Sequence, residues 1–320
     1  MSFRSLFLGV GTYLPEKVVT NAMLAEQVET SDEWIRERTG IAQRHLAGPH
    51  ESCAFMATAA ARQALADAGL GPDRVDAVLV ATATPDQAFP ATAVRVQAAL
   101  GMSGGFGFDL AAACSGFIYA LAMADSLIRS GSARTVLVIG AEVYSRILDW
   151  SDRTTCVLFG DGAGAVVLGA GPADGAGLLS THLHSDGSIG DLLYVDGAVG
   201  QREATGFLRM NGREIFRHAV AKLAGAVDEA LAANHLTQAD VDWLVPHQAN
   251  KRIIDAMGRK LGLPPERVVV TVDRHANTSA ASIPLAFAEA VRDGRIKRGD
   301  LVLMEALGGG LTWGSALLRM

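Results

Sequence analysis

Two kinds of hydrophobic pattern alternate along the chain. Segments of helical length, rich in small and apolar residues, are followed by short runs of apolar and β-branched residues. Thus "ESCAFMATAAARQALADAGL" (51–70) precedes "VDAVLVATAT" (75–84), and "SGFIYALAMADSLIRSG" (115–131) precedes "RTVLVIGAE" (134–142). Helices that alternate with buried strands form parallel sheets covered by helices, so the pattern predicts an α/β protein.

The chain also resembles itself at a fixed offset in residue number. "ALADAGLGPDRVD" (64–76) aligns with "ALAANHLTQADVD" (230–242) at an offset of 166, with six of 13 positions identical. The same offset aligns "RTVLVIG" (134–140) with "DLVLMEA" (300–306). Segments that share one offset indicate a duplicated α/β unit, and we predict two halves, residues 1–172 and 173–320. The glycine-rich "GAGPADGAG" (169–177) is either their junction or a simple hairpin turn.

The repeat places three chemically versatile side chains near the ends of predicted strands. At the offset of 166, Cys114 corresponds to Ala280, and Asn277 lies in the same turn as Ala280. His247, in "VPHQAN", corresponds to Ala81, just past a predicted strand. Ligands of open α/β sheets bind beyond the carboxyl ends of strands, so we expect Cys114, His247 and Asn277 to share one crevice.

Each of these residues also has a purely structural interpretation. Cysteine is common in buried helices, a lone histidine more often caps a helix or covers a surface, and asparagine often lies in a turn. Cys114 would, however, occupy the first turn of a helix, where the dipole lowers a thiol pKa. The three glycines at 308–310 form either a β-turn or exposed backbone whose N–H groups stabilise an oxyanion.

Composition excludes several classes of protein. The chain has 320 residues, of which 49% are hydrophobic, and a net charge of −6, which provides no global basic field for nucleic acid. Its three cysteines, Cys53, Cys114 and Cys156, are too few for a disulfide framework or a zinc site and suit a reducing compartment. The uncharged run between Asp109 and Asp125 is shorter than the roughly 20 residues that a bilayer requires. We therefore predict a cytoplasmic protein that binds no metal and no membrane.

Two other motif interpretations fail. "GDGAGA" (160–165) loosely matches a dinucleotide fingerprint, but the strand-like "VVLGA" follows it instead of a helix. Cysteine, histidine and asparagine in that order, at positions 114, 247 and 277, would suit a papain-like protease. The local cysteine signature and the disulfides of those enzymes are missing, and a duplicated α/β protein is the wrong scaffold for them.

Taken together, the motifs resemble those of the β-ketoacyl-acyl-carrier-protein synthase III enzymes. The likeness covers essentially the whole chain, including "TSDEWIRERTGI" (30–41), "AAACSGF" (111–117), "VPHQANKRII" (245–254), "HANTSAASIP" (275–284) and "GGGLTWGSALL" (308–318). It implies a thiolase-like fold in which two duplicated α/β halves form layers in the order α-β-α-β-α. It also implies a homodimer that initiates fatty-acid synthesis.

The resemblance gives each candidate catalytic residue a role. Cys114 would attack an acyl-CoA thioester, and the backbone N–H groups of Cys114 and Gly309 would stabilise the oxyanion. His247 and Asn277 would donate hydrogen bonds to the thioester carbonyl of malonyl-acyl carrier protein while CO2 is lost. The resulting carbanion would attack the acyl group on Cys114. Acyl-CoA is a substrate, and neither a cofactor nor a metal is expected.

Other residues match the binding surfaces of the family. Coenzyme A would contact Trp34, Arg38, Arg153 and Gly212, with Trp34 and Arg153 around the adenine and Arg38 near the phosphates. Phe89 matches a residue that reaches into the acyl pocket of the partner subunit.

A basic patch for the acidic acyl carrier protein would consist of Arg217, Arg252, Arg259 and Lys260. Each of the four side chains could equally lie on a solvated helix face.

The resemblance leaves one functional alternative open. The His/Asn pair favours initiation over elongation, because elongating relatives use two histidines. A secondary-metabolite condensing or acyl-transfer enzyme of the quinolone or polyketide type would carry the same Cys114, His247 and Asn277. A non-catalytic binding module is disfavoured because all three are intact. Ala276 and Ser115 depart from the common glycine and alanine without removing a catalytic group.

Overall fold

The computed structural model describes residues 3–173, 175–197 and 206–320. The strands are β1 (Phe3–Tyr13), β2 (Val18–Thr20), β3 (Gln43–His45), β4 (Ala77–Ala81), β5 (Phe106–Leu110), β6 (Thr135–Glu142), β7 (Gly162–Pro172), β8 (Gly177–Ser185), β9 (Leu193–Val195), β10 (Leu208–Met210), β11 (Trp243–Pro246), β12 (Leu301–Gly308) and β13 (Thr312–Arg319). The helices are α1 (Asn21–Ala25), α2 (Asp32–Thr39), α3 (Cys53–Asp67), α4 (Thr92–Leu100), α5 (Gly116–Arg129), α6 (Gly212–Ala233), α7 (Lys251–Lys260), α8 (Val272–His275) and α9 (Ser282–Arg292). None of the helices within these ranges has both the length and the apolar character that crossing a membrane requires.

Two larger sheets have the same strand order. The first runs β1-β7-β6-β4-β5, and the second runs β8-β13-β12-β11 when read from the equivalent edge. Each sheet contains an equivalent parallel pair, β4 with β6 and β11 with β12, and the next strand in each sheet, β7 or β13, pairs antiparallel. In place of a fifth strand, the second sheet has an isolated parallel bridge between Leu244 and Val268. The α/β class and the duplication are therefore confirmed.

The offset found in the sequence also relates the elements that follow the strands. Adding 166 to the bounds of β6 gives those of β12, and adding it to Ala113–Ser115, a 3₁₀ turn, gives the 3₁₀ turn Ser279–Ala281. Helices α5 and α9 begin at positions related by the same offset, Gly116 and Ser282. Because β7 and β8 belong to different sheets, residues 169–177 are not a simple hairpin turn. Within that segment Asp174 lies outside the described residues, and the boundary at 172/173 stays a prediction.

Five layers follow from the packing of apolar faces. Helices α3 and α4 cover the outer face of the first sheet, with a core rich in alanine and valine. Helices α5 and α9 lie between the two sheets, and α6 and α7 cover the outer face of the second. The order is α-β-α-β-α, as the resemblance implies. Strands buried on both faces explain the continuous apolar runs in the sequence.

The two equivalent 3₁₀ turns approach each other closely in the middle of the molecule. A side chain at Gly140 would lie 2.1 Å from the carbonyl oxygen of Ala280, and one at Gly116 would lie 3.5 Å from the Ala280 Cβ. Both turns begin with a non-glycine residue at positive φ, Ala113 at 44° and Ser279 at 50°. This backbone region is unfavourable for L-residues, so the surrounding packing must hold it in place.

Candidate active site

A pocket of about 470 Å³ contains side chains from both halves of the chain. Cys114, His247 and Asn277 all line it, and each is less than a tenth exposed. Cys114 follows β5, His247 follows β11, and Asn277 follows α8. The structure thus brings the three residues to one crevice, and their catalytic roles stay predictions.

Burial governs the chemistry of the Cys114 thiol. Desolvation raises the pKa of Cys114 to about 12, against smaller lowering effects from the Ser279 hydroxyl, the backbone N–H of Cys114 and the Tyr144 hydroxyl. The expected low pKa is therefore wrong. Helix α5 begins only at Gly116, and the loss of water around the sulfur outweighs the helix dipole. At neutral pH the free thiol is protonated and must transfer its proton when it reacts.

His247 has a neutral imidazole at this site. Desolvation lowers the pKa of His247 to about 3, so the imidazole carries one N–H and no charge at neutral pH. Its backbone N–H donates to the carbonyl oxygen of Glu305 over 2.8 Å, which anchors the end of β11 to β12. The ring Nδ1 is buried and has no hydrogen-bond partner among the described residues.

Asn277 is held so that its amide nitrogen is left to donate. The Asn277 Oδ1 accepts a hydrogen bond from the backbone N–H of Ser279 at 2.8 Å. The backbone N–H of Asn277 donates to Leu158, and the backbone N–H of Gly160 donates to Asn277, both over 3.0 Å. The first half of the chain thereby positions a side chain of the second half. With Oδ1 already engaged, the side-chain NH2 provides the remaining hydrogen-bonding capacity.

The glycines at 308–310 connect β12 to β13 beside the cysteine turn. A side chain at Gly308 would lie 2.6 Å from the Cys114 backbone nitrogen, so only glycine permits this approach. Gly309 packs against Leu193, whose carbonyl oxygen would lie 2.7 Å from an added Cβ. The segment is therefore both a strand connection and backbone next to Cys114. The oxyanion role of the Cys114 and Gly309 N–H groups stays a prediction.

Trp34 lies at the pocket with two guanidinium groups around it. Trp34, Arg38 and Gly212 line the pocket, whereas Arg153 is not among its lining residues. The Arg38 guanidinium carbon is 4.5 Å from the centre of the Trp34 ring, and that of Arg153 is 5.4 Å away. The expected division between an adenine-stacking Arg153 and a phosphate-binding Arg38 is therefore not evident in this arrangement. Both cations contact the same indole.

The predicted carrier-protein residues lie on two neighbouring helices. Arg217 is on α6, where it pairs with Glu214 at 2.6 Å, while the other three are on α7. Lys260 pairs with Asp228 at 3.0 Å, and Arg259 is in the last turn of α7. Of the four, Arg252 borders the pocket in the part of the chain that the structure describes. Sequence reasoning missed Arg213, which lines the pocket next to Gly212.

The departures from the family pattern have different structural consequences. Ala276 adopts a φ of 57°, a value that favours glycine and costs an alanine conformational strain. The Ser115 hydroxyl lies within hydrogen-bond distance of the Ala112 carbonyl oxygen, at 2.8 Å, and of the Thr312 hydroxyl, at 2.7 Å, so the serine joins the two halves. Phe89 is 84% exposed in the single chain, which is unusual for a large aromatic residue.

Three polar residues around Cys114 escaped the sequence analysis. Glu142, Tyr144 and Ser279 are fully or almost fully buried and form a hydrogen-bonded group. Glu142 did leave a signal, because it is a lone acidic residue at the end of an apolar strand. Ser279 left none, since its position depends on a backbone conformation. Within residues 3–173, 175–197 and 206–320 there is no group of three His, Cys, Asp or Glu side chains suited to hold a metal ion.

Comparison with known proteins yields one consistent family. Residues 108–187 match the family model "3-Oxoacyl-[acyl-carrier-protein (ACP)] synthase III", and residues 231–320 match the model of its C-terminal part. The chain is 70% identical over 317 residues to the β-ketoacyl-[acyl-carrier-protein] synthase III of Acidiphilium cryptum, with 99% of each chain covered. The corresponding enzyme of Granulibacter bethesdensis is 69% identical over 320 residues, again with 99% of each covered.

Solved structures show the same fold. The 3-oxoacyl-[acyl-carrier-protein] synthase III of Aquifex aeolicus superposes with a TM-score of 0.94 at 49% identity, covering 99% of this chain and 100% of that one. A priming β-ketosynthase from the R1128 polyketide pathway has a TM-score of 0.94 at 38% identity, with coverages of 100% and 97%.

Proposed function

Because the chain belongs to the 3-oxoacyl-[acyl-carrier-protein] synthase III family, it is an acyl-transferring condensing enzyme, and we propose that it primes fatty-acid synthesis in the cytoplasm. The primer is acetyl-CoA or another short acyl-CoA, and the extender is malonyl-acyl carrier protein. The observation that carries this proposal is the meeting of Cys114, His247 and Asn277 in one buried pocket.

In the first half-reaction the Cys114 sulfur attacks the thioester carbonyl of the acyl-CoA. An acyl-enzyme forms, and coenzyme A leaves. The backbone N–H groups of Cys114 and Gly309 stabilise the negative charge on the tetrahedral intermediate. The close packing of Gly308 on the cysteine turn supports this role, because it brings the glycine segment to the reacting residue.

In the second half-reaction malonyl-acyl carrier protein loses CO2, and the charge develops on its thioester oxygen. His247 and Asn277 donate hydrogen bonds to this oxygen and stabilise the enolate. Two observations support the assignment. The low pKa of His247 keeps the imidazole neutral while one N–H remains to donate. The Asn277 Oδ1 already accepts a hydrogen bond from the backbone N–H of Ser279, which leaves the side-chain NH2 group to donate.

The substrates approach over the cationic side of the pocket. Coenzyme A contacts Trp34, Arg38, Arg153 and Gly212. The acyl carrier protein docks on Arg217, Arg252, Arg259 and Lys260. Positive side chains near the pocket compensate locally for the net charge of −6 of the whole chain.

The functional unit is a homodimer in which Phe89 enters the acyl pocket of the partner subunit. The 84% exposure of Phe89 supports this, since a phenylalanine so exposed gains most from burial on association. We expect Phe89→Ala to broaden the range of accepted primers toward longer chains. The measurement is the initial rate with acyl-CoA substrates of increasing length, and an unchanged profile would contradict the assignment.

A polyketide-priming function is the second candidate, and the 38% identity to a priming β-ketosynthase supports it. The test is to incubate the purified protein with malonyl-acyl carrier protein and either acetyl-CoA or a larger or branched acyl-CoA, and to identify each carrier-protein product by mass spectrometry. We expect acetoacetyl-acyl carrier protein. Efficient condensation only with a larger or branched starter would favour the polyketide function, and the absence of any condensation would refute both.

A further inference from the structure

Next to Cys114 there is a buried carboxyl group with no role in the reaction described above. Glu142 ends β6 and is fully buried. Its side chain accepts hydrogen bonds from the backbone N–H of Ala83 at 3.1 Å, from the Thr84 hydroxyl at 2.6 Å and from the Ser279 hydroxyl at 3.0 Å. The lone-pair positions of the carboxylate are thus largely filled by donors, which holds the group in one orientation.

Ser279 links this carboxyl to the nucleophile. Its hydroxyl lies 3.0 Å from Glu142 Oε1 and 3.1 Å from the Tyr144 hydroxyl. Hydrogen bonding from Ser279 also lowers the pKa of the Cys114 thiol against the larger effect of burial. Ser279 begins its 3₁₀ turn at a positive φ of 50°, as Ala113 does in the equivalent cysteine turn. Ser279 is therefore the polar residue that contacts Glu142 and also affects the proton affinity of Cys114.

We propose that Ser279 and Glu142 form a proton relay that deprotonates Cys114 during acylation, an inference that rests on Cys114 being the nucleophile. The Cys114 proton passes to Ser279 Oγ while the Ser279 hydroxyl proton passes to Glu142 Oε1. The sulfur lone pair forms the new bond to the acyl carbon, and the bond from that carbon to the coenzyme A sulfur breaks. The departing thiolate receives the proton back from Glu142 through Ser279, so coenzyme A leaves as the thiol.

Charge conservation favours Glu142 over His247 as the proton acceptor. Transfer to a carboxylate exchanges one buried negative charge for another, whereas transfer to His247 creates two charges in a desolvated site. The proton affinities agree. Burial raises the pKa of Glu142 to about 7 and lowers that of His247 to about 3. The pKa of Glu142 is therefore much closer than that of His247 to the pKa of the Cys114 thiol.

The other titratable groups that face Glu142 cannot substitute for it near neutral pH. They are Cys53 beneath it, Cys114, and Tyr144 beside Ser279. Burial raises the pKa of all three, so each is protonated and neutral around pH 7. Thr82 and Thr84, which follow β4, donate hydrogen bonds to Glu142. Their hydroxyl groups do not titrate.

The test is the rate of Cys114 acetylation by acetyl-CoA in single turnovers between pH 5.5 and 8.5, measured on the full chain by rapid quench and intact-protein mass spectrometry. We expect the wild-type rate to rise with pH through an apparent pKa near 7, where Glu142 becomes the base. Glu142→Gln and Ser279→Ala should lose this inflection, and their rates at pH 8 should fall on the order of 100-fold.

Glu305→Gln is the matched control. Glu305 is also a buried carboxyl, and burial raises its pKa to about 8, but it lies on β12 in the other sheet. This variant should keep the inflection near pH 7. If a wild-type inflection persists in Glu142→Gln or Ser279→Ala, or if the wild type shows none, the relay is overturned.

Ser279→Ala keeps the test decisive if Glu142→Gln does not fold, because it removes only a hydroxyl. Thermal unfolding of each variant separates loss of structure from loss of rate. The same experiment distinguishes a failure of the proton relay from a failure of the proposed function. Acetyl groups found on a residue other than Cys114 would refute the nucleophile, whereas normal labelling of Cys114 with an unchanged pH profile would refute the relay alone.

Discussion

Two equivalent 3₁₀ turns, one in each half of the chain, have similar backbone conformations and differ in chemistry. Ala113–Ser115 and Ser279–Ala281 occupy equivalent places in the two halves, and each begins at positive φ. The first carries a thiol at its middle position, where the second has Ala280. The second instead follows Asn277, whose carboxamide is oriented by Ser279. One turn is therefore suited to form a covalent bond and the other to donate hydrogen bonds.

This difference shows how a duplicated fold divides a reaction. Acyl transfer needs a nucleophile and decarboxylation needs donors, and the two equivalent turns bring Cys114 and Asn277 to a shared crevice. Neither half contains the whole pocket, because its lining includes Cys114 from the first half and His247 and Asn277 from the second. The halves are alike in their sheets and differ in the residues that line the pocket.

Removal of the thiol should have the largest effect. We expect Cys114→Ala to abolish the base-labile acetyl adduct that acetyl-CoA leaves on the wild type, as detected by intact-protein mass spectrometry. Cys114→Ser should also fail, because a hydroxyl is a far weaker nucleophile than a thiol.

A thiol in the equivalent turn of the second half tests whether position or residue type matters. Cys114→Ala combined with Ala280→Cys should remain unlabelled, because Ala280 is 1% exposed and is not among the residues lining the pocket. An acetyl group on residue 280 would show that the two turns are chemically interchangeable and would contradict the division of roles.

Removal of the donors should affect the other half-reaction. We expect His247→Ala and Asn277→Ala to acetylate Cys114 but to lose malonyl-acyl carrier protein decarboxylation by on the order of 100-fold each, the typical effect of deleting an oxyanion donor. The assay is CO2 release from labelled malonyl-acyl carrier protein. Decarboxylation close to the wild-type rate in both variants would refute the enolate role.

The buried imidazoles of the second half should make it sensitive to acid. Burial lowers the pKa of His275 to about 3 from an ordinary value of 6.5, so the unfolded chain binds the proton more strongly between these values. Above pH 6.5 His275 is neutral in both states and the free energy of unfolding is unaffected. As the pH falls below 6.5, protonation of His275 in the unfolded chain lowers the free energy of unfolding. From pH 7 to 5, wild type should lose about 2 kcal/mol relative to His275→Gln, as measured by urea unfolding. Parallel losses in the two proteins would contradict the prediction.

The smallest effects should come from the cationic surface. Arg252 borders the pocket, whereas Lys260 already pairs with Asp228. We expect Arg252→Ala to raise the KM for malonyl-acyl carrier protein several-fold, about 1 kcal/mol, and Lys260→Ala to change it less than about twofold. The KM for acetyl-CoA serves as the control for general damage. Equal effects at both positions would indicate a diffuse field instead of a local docking patch.

The sequence determined the architecture and the choice of candidate reacting groups. Alternating apolar patterns identified the sheets and helices, and a constant offset of 166 in residue number related β6 to β12 and the cysteine turn to the Asn277 turn. These features are readable because periodicity and repetition are local properties of the chain. Motifs around Cys114, His247 and Asn277 identified the family, since few folds require that set.

Only the tertiary structure decided the electrostatics of the site. The start of α5 suggested a low thiol pKa, yet burial raises the pKa of Cys114 to about 12. The Cys114 pKa also depends on residues from distant parts of the chain, because hydrogen bonding from Ser279 lowers it and the charge of Glu142 raises it. Likewise, Arg252 borders the pocket while Lys260 pairs with Asp228, because helix packing, not composition, selects which charges face a ligand. Residue types are local, whereas proton affinities belong to the assembled environment.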